Sequence, residues 1–304
     1  MDLWRCGYVE ASLEDVIAAG GLAGYAPRWL PSPPGRHRFL ADPFGSARGD
    51  TQHVFAEALD YRDRRGRIVG FTRHSDGRLE PHGTVLEAPW HLSYPVLAEE
   101  AGELFMLPEA HRGGGLWLYR ATDLPTGWTR DSRLGLPFVP VDATPLRFGD
   151  RWLLLCARAG APADELHLFE SARLAGPWRP HPASPLRTGN DGSRPGGTAL
   201  VRDGAVLLPV QDNRETYGGA LRLLTIMAIG TDRPAISLGP RLTPPADTGG
   251  HDDGLHTLAA CGPITLFDVK RIDRSLGGRL IGALGKVRRA AARSRPRAPR
   301  TGRR

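Results

Sequence analysis

Five carboxylates, Asp42, Glu57, Glu109, Asp142 and Asp212, stand where short apolar runs of the chain begin or end. Arg194, Gln211, His91, Tyr94 and His256 occupy comparable places. Carboxyl groups in unlike surroundings can divide acid and base work between them, because burial raises the pKa of one while a neighbouring cation lowers that of another. Glu109 follows ELFMLP, where burial beside Pro108 would lift its pKa toward the range of a general acid. A solvated glutamate at a strand end is the plain alternative. Asp142 either tunes a neighbouring carboxyl and binds a ligand hydroxyl, or closes a turn. Arg194 precedes Pro195-Gly196-Gly197, and a guanidinium on a rigid turn suits a ligand carboxylate or phosphate, or else an internal salt bridge to one of the acids.

These residues are far apart in sequence, so repeated elements must bring them together. Asp42-Pro43-Phe44, Tyr94-Pro95-Val96, Thr144-Pro145-Leu146, Thr198-Ala199-Leu200 and His256-Thr257-Leu258 open five similar segments. Recurrence at a period near fifty residues marks a repeat architecture. After each opening comes a second apolar run: HVFAE, ELFMLPE, WLLLC, AVLLPVQD and ITLFD. Four of the segments have a third run, RIVGFT, LWLYRA, ELHLFES and ALRLLTI, and two carry a marker of a fourth, Gly127-Trp128 and Gly176-Pro177-Trp178. Each unit reads as an antiparallel sheet of short strands. The expected fold is all-β, a five-bladed β-propeller. Its fifth repeat stops after two runs, and the amino-terminal LWRCGYV is the expected donor that closes the ring and covers the open edge. The expected domain is 1–272, with one short helix within Leu13 to Gly24 and a basic tail over 273–304.

Inner strands of a propeller converge on a central channel, which selects the candidates by position. Asp42, Tyr94, Asp142, Arg194 and His256 come from strand openings; Glu57, Glu109, Gln211 and Asp212 come from second-strand ends. Glu57 and Asp212 are expected to form a polar ring beneath a pocket. His91 and Tyr94 offer hydrogen bonds or a stacking face. His256 is a ligand contact, a metal neighbour or a satisfied core residue. Trp117, Trp128, Trp152 and Trp178 are expected to fill the gaps between blades. His251-Asp252-Asp253 reads as a solvated turn in a glycine-rich loop rather than a metal site.

Composition agrees with short strands and turns: 38 Gly and 27 Pro are too many for a helical protein, and 40% hydrophobic residues suffice for a core. Cys6, Cys156 and Cys261 show neither disulfide nor zinc spacing, and no cofactor or metal is expected. With no apolar stretch of bilayer length and no secretory pattern at the start, a cytoplasmic location is expected. The net charge of +7 is concentrated in the end of the chain, where 270–304 hold 13 Lys or Arg against one acid. Such a tail is expected to touch anionic membrane surfaces weakly and to have no specific nucleic-acid partner.

FLADPF, HLSYP, MLPE, LYRATDLPTGW, VDATPL, LAGPWRPHP, SRPGG, QDN with ETYGGAL, and DGLHTL together resemble one family. It is the amino-terminal domain of plant glucosamine inositolphosphorylceramide transferases and its stand-alone bacterial relatives. That architecture is similar to the propellers of glycoside hydrolase family 43. The resemblance implies that Asp42, in Ala-Asp-Pro-Phe, takes the place of those hydrolases' base, against the alternative of an ordinary Asp-Pro turn. It implies a sugar or glycoconjugate as ligand; with the strand positions above, catalytic roles are expected of Asp42, Glu109 and Asp142 and substrate contacts of the other candidates. Transfer in the plant enzymes is expected of a separate glycosyltransferase domain, which is therefore the implied partner. Two readings stay open: a hydrolase of a glycosidic bond, or a non-catalytic sugar- or glycolipid-binding module.

Overall fold

A computed structural model describes residues 1–161, 163–278, 280 and 281. The strands form five antiparallel sheets, four of them ordered from the centre outward along the chain. Blade I comprises Arg38–Arg48, Thr51–Asp60, Arg67–Arg73 and Leu79–Leu86. Blade II comprises Ser93–Glu100, Glu103–Glu109, Trp117–Asp123 and Gly127–Arg133. Blade III has Pro140–Phe148, Arg151–Arg158 and Glu165–Ser171, with Arg179–Pro180 and Arg187–Thr188 sharing its outer edge. Blade IV has Leu200–Arg202, Ala205–Asp212, Ala220–Met227 and Ala235–Arg241.

Blade V is built from both ends of the described chain. Leu258–Cys261 and Ile264–Ile272 are its inner strands, Asp2–Val9 is the third and Arg28–Trp29 the outermost. Asp2–Val9 pairs along its whole length, from Asp2 opposite Ile272 to Val9 opposite Thr265. The amino-terminal segment thus closes the ring and removes the edge that the fifth repeat would otherwise expose. The α-helix Leu13–Ala18 is capped by the Ser12 hydroxyl and buries Leu13, Val16 and Ile17. Those residues pack with Leu207, Leu221, Leu242 and Phe267, sealing blade IV to blade V. No described helix is long and apolar enough to cross a membrane.

Two of the recurring tryptophans join blades. Trp152 of blade III donates its indole N–H to Glu100 of blade II at 2.7 Å, and Trp128 of blade II meets Phe55 of blade I edge to face. All three cysteines are free and buried. Most of the expected basic tail, 282–304, lies outside the described residues.

At the centre, blades I to III open in the same way. Asp42, Tyr94 and Asp142 have φ of 50°, 46° and 49°, and each lies at a break in register with the second strand. A bulge with a left-handed residue re-aims one side chain and turns one backbone N–H out of the ladder. For a residue with a Cβ this conformation costs roughly 1–2 kcal/mol, so something must hold it. The neighbouring blade does. Tyr94 N donates to Asp42 Oδ2 at 3.2 Å, Asp142 N to Glu109 Oε2 at 3.3 Å, and Asp42 N to Asp268 Oδ2 at 2.9 Å. Each freed N–H is therefore taken by a carboxylate of the preceding blade around the ring. Between blades IV and V the backbones meet directly, Gly197 against Leu258. A Cβ at Gly197 would stand 1.8 Å from the Leu258 carbonyl oxygen, so only glycine permits this approach.

Candidate functional site

The inner strands and the loops above them enclose a central pocket of about 440 Å³. Asp42, Glu57, His91, Glu109, Asp142, Arg194 and His256 line it, so seven of the residues singled out in the sequence come together. Trp4, Tyr61, His111 and Tyr217 also line it and were not among them.

Asp42 is buried and spanned by donors: Tyr94 N on Oδ2, and the Thr257 hydroxyl on Oδ1 at 3.0 Å. His256 places Nε2 3.5 Å from Asp42 Oδ1 and Nδ1 2.7 Å from Asp268 Oδ2. Burial pushes the Asp42 carboxyl up and Asp268 adds to the rise, while His256 opposes it. Burial works against a charged His256, but Asp268 and Asp42 outweigh it and raise the imidazole's pKa. Trp4 stacks on that ring at 3.6 Å, so the amino-terminal strand fixes its plane. Asp42, His256 and Asp268 could in principle offer three atoms to a metal ion. The hydrogen bonds they already make to one another and to the backbone account for the cluster without one.

Asp268 carries no exposed surface and accepts from three backbone N–H groups, those of Asp42, His256 and Thr257, as well as facing the imidazole. The sequence reading passed over it. It stands at the end of ITLFD, where the other repeats place Glu57, Glu109 and Gln211, so the signal was present.

Glu109 departs from the expectation that burial would raise its pKa. Burial does act that way, but His111 Nδ1 lies 3.0 Å from Oε1 and Arg194 adds positive charge from blade IV, which together lower Glu109 to about 2. A carboxylate so held is a poor proton donor near neutrality. Asp142 is pushed up by burial, against the pull of Arg194. Its Oδ2 accepts from Arg194 Nε at 2.5 Å and Gln211 Nε2 at 2.8 Å. The internal salt bridge was the alternative reading of Arg194, and it is formed.

Three expected contacts lie elsewhere. Tyr94 is buried, and its hydroxyl is 2.9 Å from Thr144 Oγ1 and accepts from Gly197 N at 2.8 Å. The ring packs edge to face on Phe44, so it offers a ligand no stacking face. Gln211 sits behind Asp142, donating also to the Pro195 carbonyl at 2.8 Å. Asp212, adjacent in a strand, must point the opposite way. It is clamped by Arg214 at 2.7 Å and Arg241 at 2.9 Å and does not line the pocket, which corrects the expectation that it shares a ring with Glu57. Asp253 of the expected solvated turn pairs with exposed Arg274.

Tyr217 is the pocket's exposed aromatic, 43% accessible. Arg194 lies over its ring at 5.2 Å, and it meets His256 and Trp4 edge to face. Its loop is fastened from below, where the buried Lys270 ammonium bonds the Tyr217 carbonyl and the Thr216 hydroxyl. Tyr217→Ala is expected to lower the melting temperature by about 2–4 °C, since a half-exposed ring with edge-to-face and cation contacts contributes about 1 kcal/mol. A fall of more than about 5 °C by calorimetry would show that the ring props up the blade IV loop.

The chain is 33% identical over 201 residues to "Glucosamine inositolphosphorylceramide transferase 1" of Arabidopsis thaliana, covering 64% of this chain and 26% of that protein. To the protein of the same name from Oryza sativa subsp. japonica it is 33% identical over 196 residues, again 26% of the relative. It thus spans about a quarter of the length of these relatives. Among solved structures, a family 117 glycoside hydrolase of Zobellia galactanivorans superposes with a TM-score of 0.56 at 15% identity, over 79% of this chain and 88% of that one. CoXyl43, a family 43 β-xylosidase/α-arabinofuranosidase from a compost metagenome, superposes with a TM-score of 0.55 at 12% identity, over 80% and 89%. At such identities the likeness is one of fold. Residues 33–234 match the family model "Glucosamine inositolphosphorylceramide transferase 1, N-terminal", and the chain belongs to that family.

Proposed function

We propose that this propeller binds a sugar or glycoconjugate in its central pocket and serves a separate glycosyltransferase. One observation carries the reading: carboxylates, a guanidinium and imidazoles from different blades meet below an exposed aromatic ring in one pocket. Fixed acceptors and donors beside an aromatic face suit a ligand with hydroxyl groups around an apolar ring. The transferase context follows from the much longer relatives and their names. Because Asp42, Glu109 and Asp142 are each engaged by neighbouring blades, their positions are set before any ligand arrives.

Hydrolysis is a second reading, favoured by carboxyl groups with unlike surroundings: Asp42 beside a cationic imidazole, and Glu57 buried without such a partner. Glycan-array binding followed by calorimetry tests the first reading, and turnover of the bound glycans tests the second. Asp42→Asn is expected to keep the fold at a cost of about 3 kcal/mol: the Thr257 hydroxyl can turn to accept from the new amide, but His256 loses the carboxylate that faces its Nε2. If the chain is a hydrolase, that change lowers turnover at least ~100-fold. If it is a binding module, wild type releases no sugar and only affinity changes. An array with no bound glycan would sink both.

A further inference from the structure

Glu57 is the pocket carboxyl that the ring of hydrogen bonds leaves out. It ends the second strand of blade I, as Glu109 ends that of blade II, yet no backbone N–H from the next blade reaches it. Oε1 is buried and has no hydrogen-bond partner. His91 approaches it, and the chemistry of that approach is fixed by a third group: Gly66 N donates to His91 Nδ1 at 2.9 Å. A ring nitrogen that accepts is unprotonated, so His91 is the neutral tautomer with its proton on Nε2, which lies 3.4 Å from Glu57 Oε1. Gly66 is required for this packing, because a Cβ there would stand 2.3 Å from the Leu92 carbonyl and 2.8 Å from Glu57 Oε1.

We propose that Glu57 is held as a neutral carboxylic acid and donates its proton in a hydrogen bond to an ether oxygen of a glycoside bound in the pocket. This rests on the sugar-binding reading. The groups around Glu57 explain the neutral state. His91 is uncharged, with burial lowering its pKa to about 4. Asp42 of the same blade, Glu109 of blade II, Asp142 of blade III and Asp268 of blade V present carboxyl groups. The other basic side chains lining the pocket face other carboxyl groups: Arg194 faces Asp142, His111 faces Glu109, and His256 lies between Asp42 and Asp268. Burial first, then these carboxylates, raise the Glu57 pKa well above its ordinary value. The ligand chemistry follows from the balance of donors and acceptors. Asp42, Glu109 and Asp142 supply acceptors for hydroxyl groups, whereas ring and glycosidic ether oxygens accept only and need a donor.

The protonation state can be read without a ligand, from urea unfolding of the full chain and its Glu57→Gln variant across pH 4 to 9. A carboxyl whose folded pKa is raised gives stability that is complete below its unfolded pKa, about 4.3, and is lost as pH rises through the folded value. Wild type should therefore match the variant near pH 4 and lose about tenfold in its folding constant relative to it for each pH unit above, until Glu57 ionises. A ratio that does not change with pH, or one that rises, overturns the proposal. Should the variant fail to fold, infrared spectra of wild type with 13C-glutamate decide: an isotope-shifted carboxylic-acid band at pH 7 is expected, and its absence overturns it. For the ligand, methyl glycosides of glucose, glucosamine, xylose and arabinose serve as probes. Binding to wild type should weaken as pH passes the Glu57 pKa, and Glu57→Gln should bind without that dependence. Binding that is flat with pH in wild type overturns the donor role. A protonated Glu57 with none of the glycosides bound overturns the sugar-binding reading instead.

Discussion

Replacing Asp268 with alanine is expected to destabilise the protein by at least about 4 kcal/mol, the largest loss from any single polar side chain at the centre. Three backbone N–H groups and one imidazole lose their acceptor at once. A buried donor left unpaired costs about 1–3 kcal/mol, and breaking a buried ion pair about 3–5 kcal/mol. One of those N–H groups belongs to Asp42, whose left-handed backbone then loses the acceptor that satisfies it. His256 would also be left charged beside Asp42 alone, or would have to give up its proton. Since domains of this kind are stable by only about 5–15 kcal/mol, the variant should show a sharply lowered urea midpoint or fail to accumulate as folded protein. Asp268→Asn, which keeps one acceptor oxygen, should lose about half as much. A midpoint for Asp268→Ala within error of wild type would mean that water replaces the carboxylate, and that the blades are not joined through it.

The same residue shows what the sequence discloses and where it stops. Apolar runs with turns at a period near fifty made the repeats legible, and the missing strands of the fifth repeat made the amino-terminal donor legible. Asp268 was visible in that register, at the end of ITLFD, but its role comes from the bulge at Asp42, more than two hundred residues away, whose freed N–H it accepts. Asp212 illustrates the opposite error. Gln211 and Asp212 are both polar at the end of one strand, and alternation sends them to opposite faces, so composition alone could not say which faces the centre. Glu109 lines the pocket, but its acidity was not legible: His111, two residues on, turns back to it through the loop geometry, and Arg194 acts through space from blade IV. Tyr217 lies in a turn without periodicity, and its position over the pocket depends on Lys270 of another blade. Outer strands such as Leu79–Leu86 and Ala235–Arg241 were missed for a simpler reason: they bury little and so carry no sustained apolar run.

Arg194 allows the pairing within the pocket to be separated from its packing. Its side chain is 20% exposed, its Nε serves Asp142, and its guanidinium covers the Tyr217 ring. Arg194→Met keeps much of the apolar stem but leaves Asp142 with Gln211 as its donor. Breaking such a pair is expected to cost about 3 kcal/mol at pH 7. The loss has a ceiling, because a buried carboxyl without its cation takes up a proton. Protonation costs about 1.4 kcal/mol per pH unit above the unfolded value near 3.9, hence about 4 kcal/mol at pH 7. The sign of the pH dependence follows. Burial already pushes Asp142 up and Arg194 holds it back, so removing Arg194 raises the folded pKa further. Stability of the variant relative to wild type should then be restored toward pH 4 and decline as pH rises through the folded pKa. Glu109, which Arg194 helps to hold down at about 2, should move upward in the same variant. Adding Asp142→Asn removes the charge that Arg194 compensated, so the double variant should recover most of the neutral-pH loss, a coupling of about 2 kcal/mol or more in a double-mutant cycle. A loss that is the same at pH 4 and pH 8 and is not relieved by Asp142→Asn would assign the effect of Arg194 to its packing on Tyr217, and would mean that the ion pair contributes little to holding blade III against blade IV.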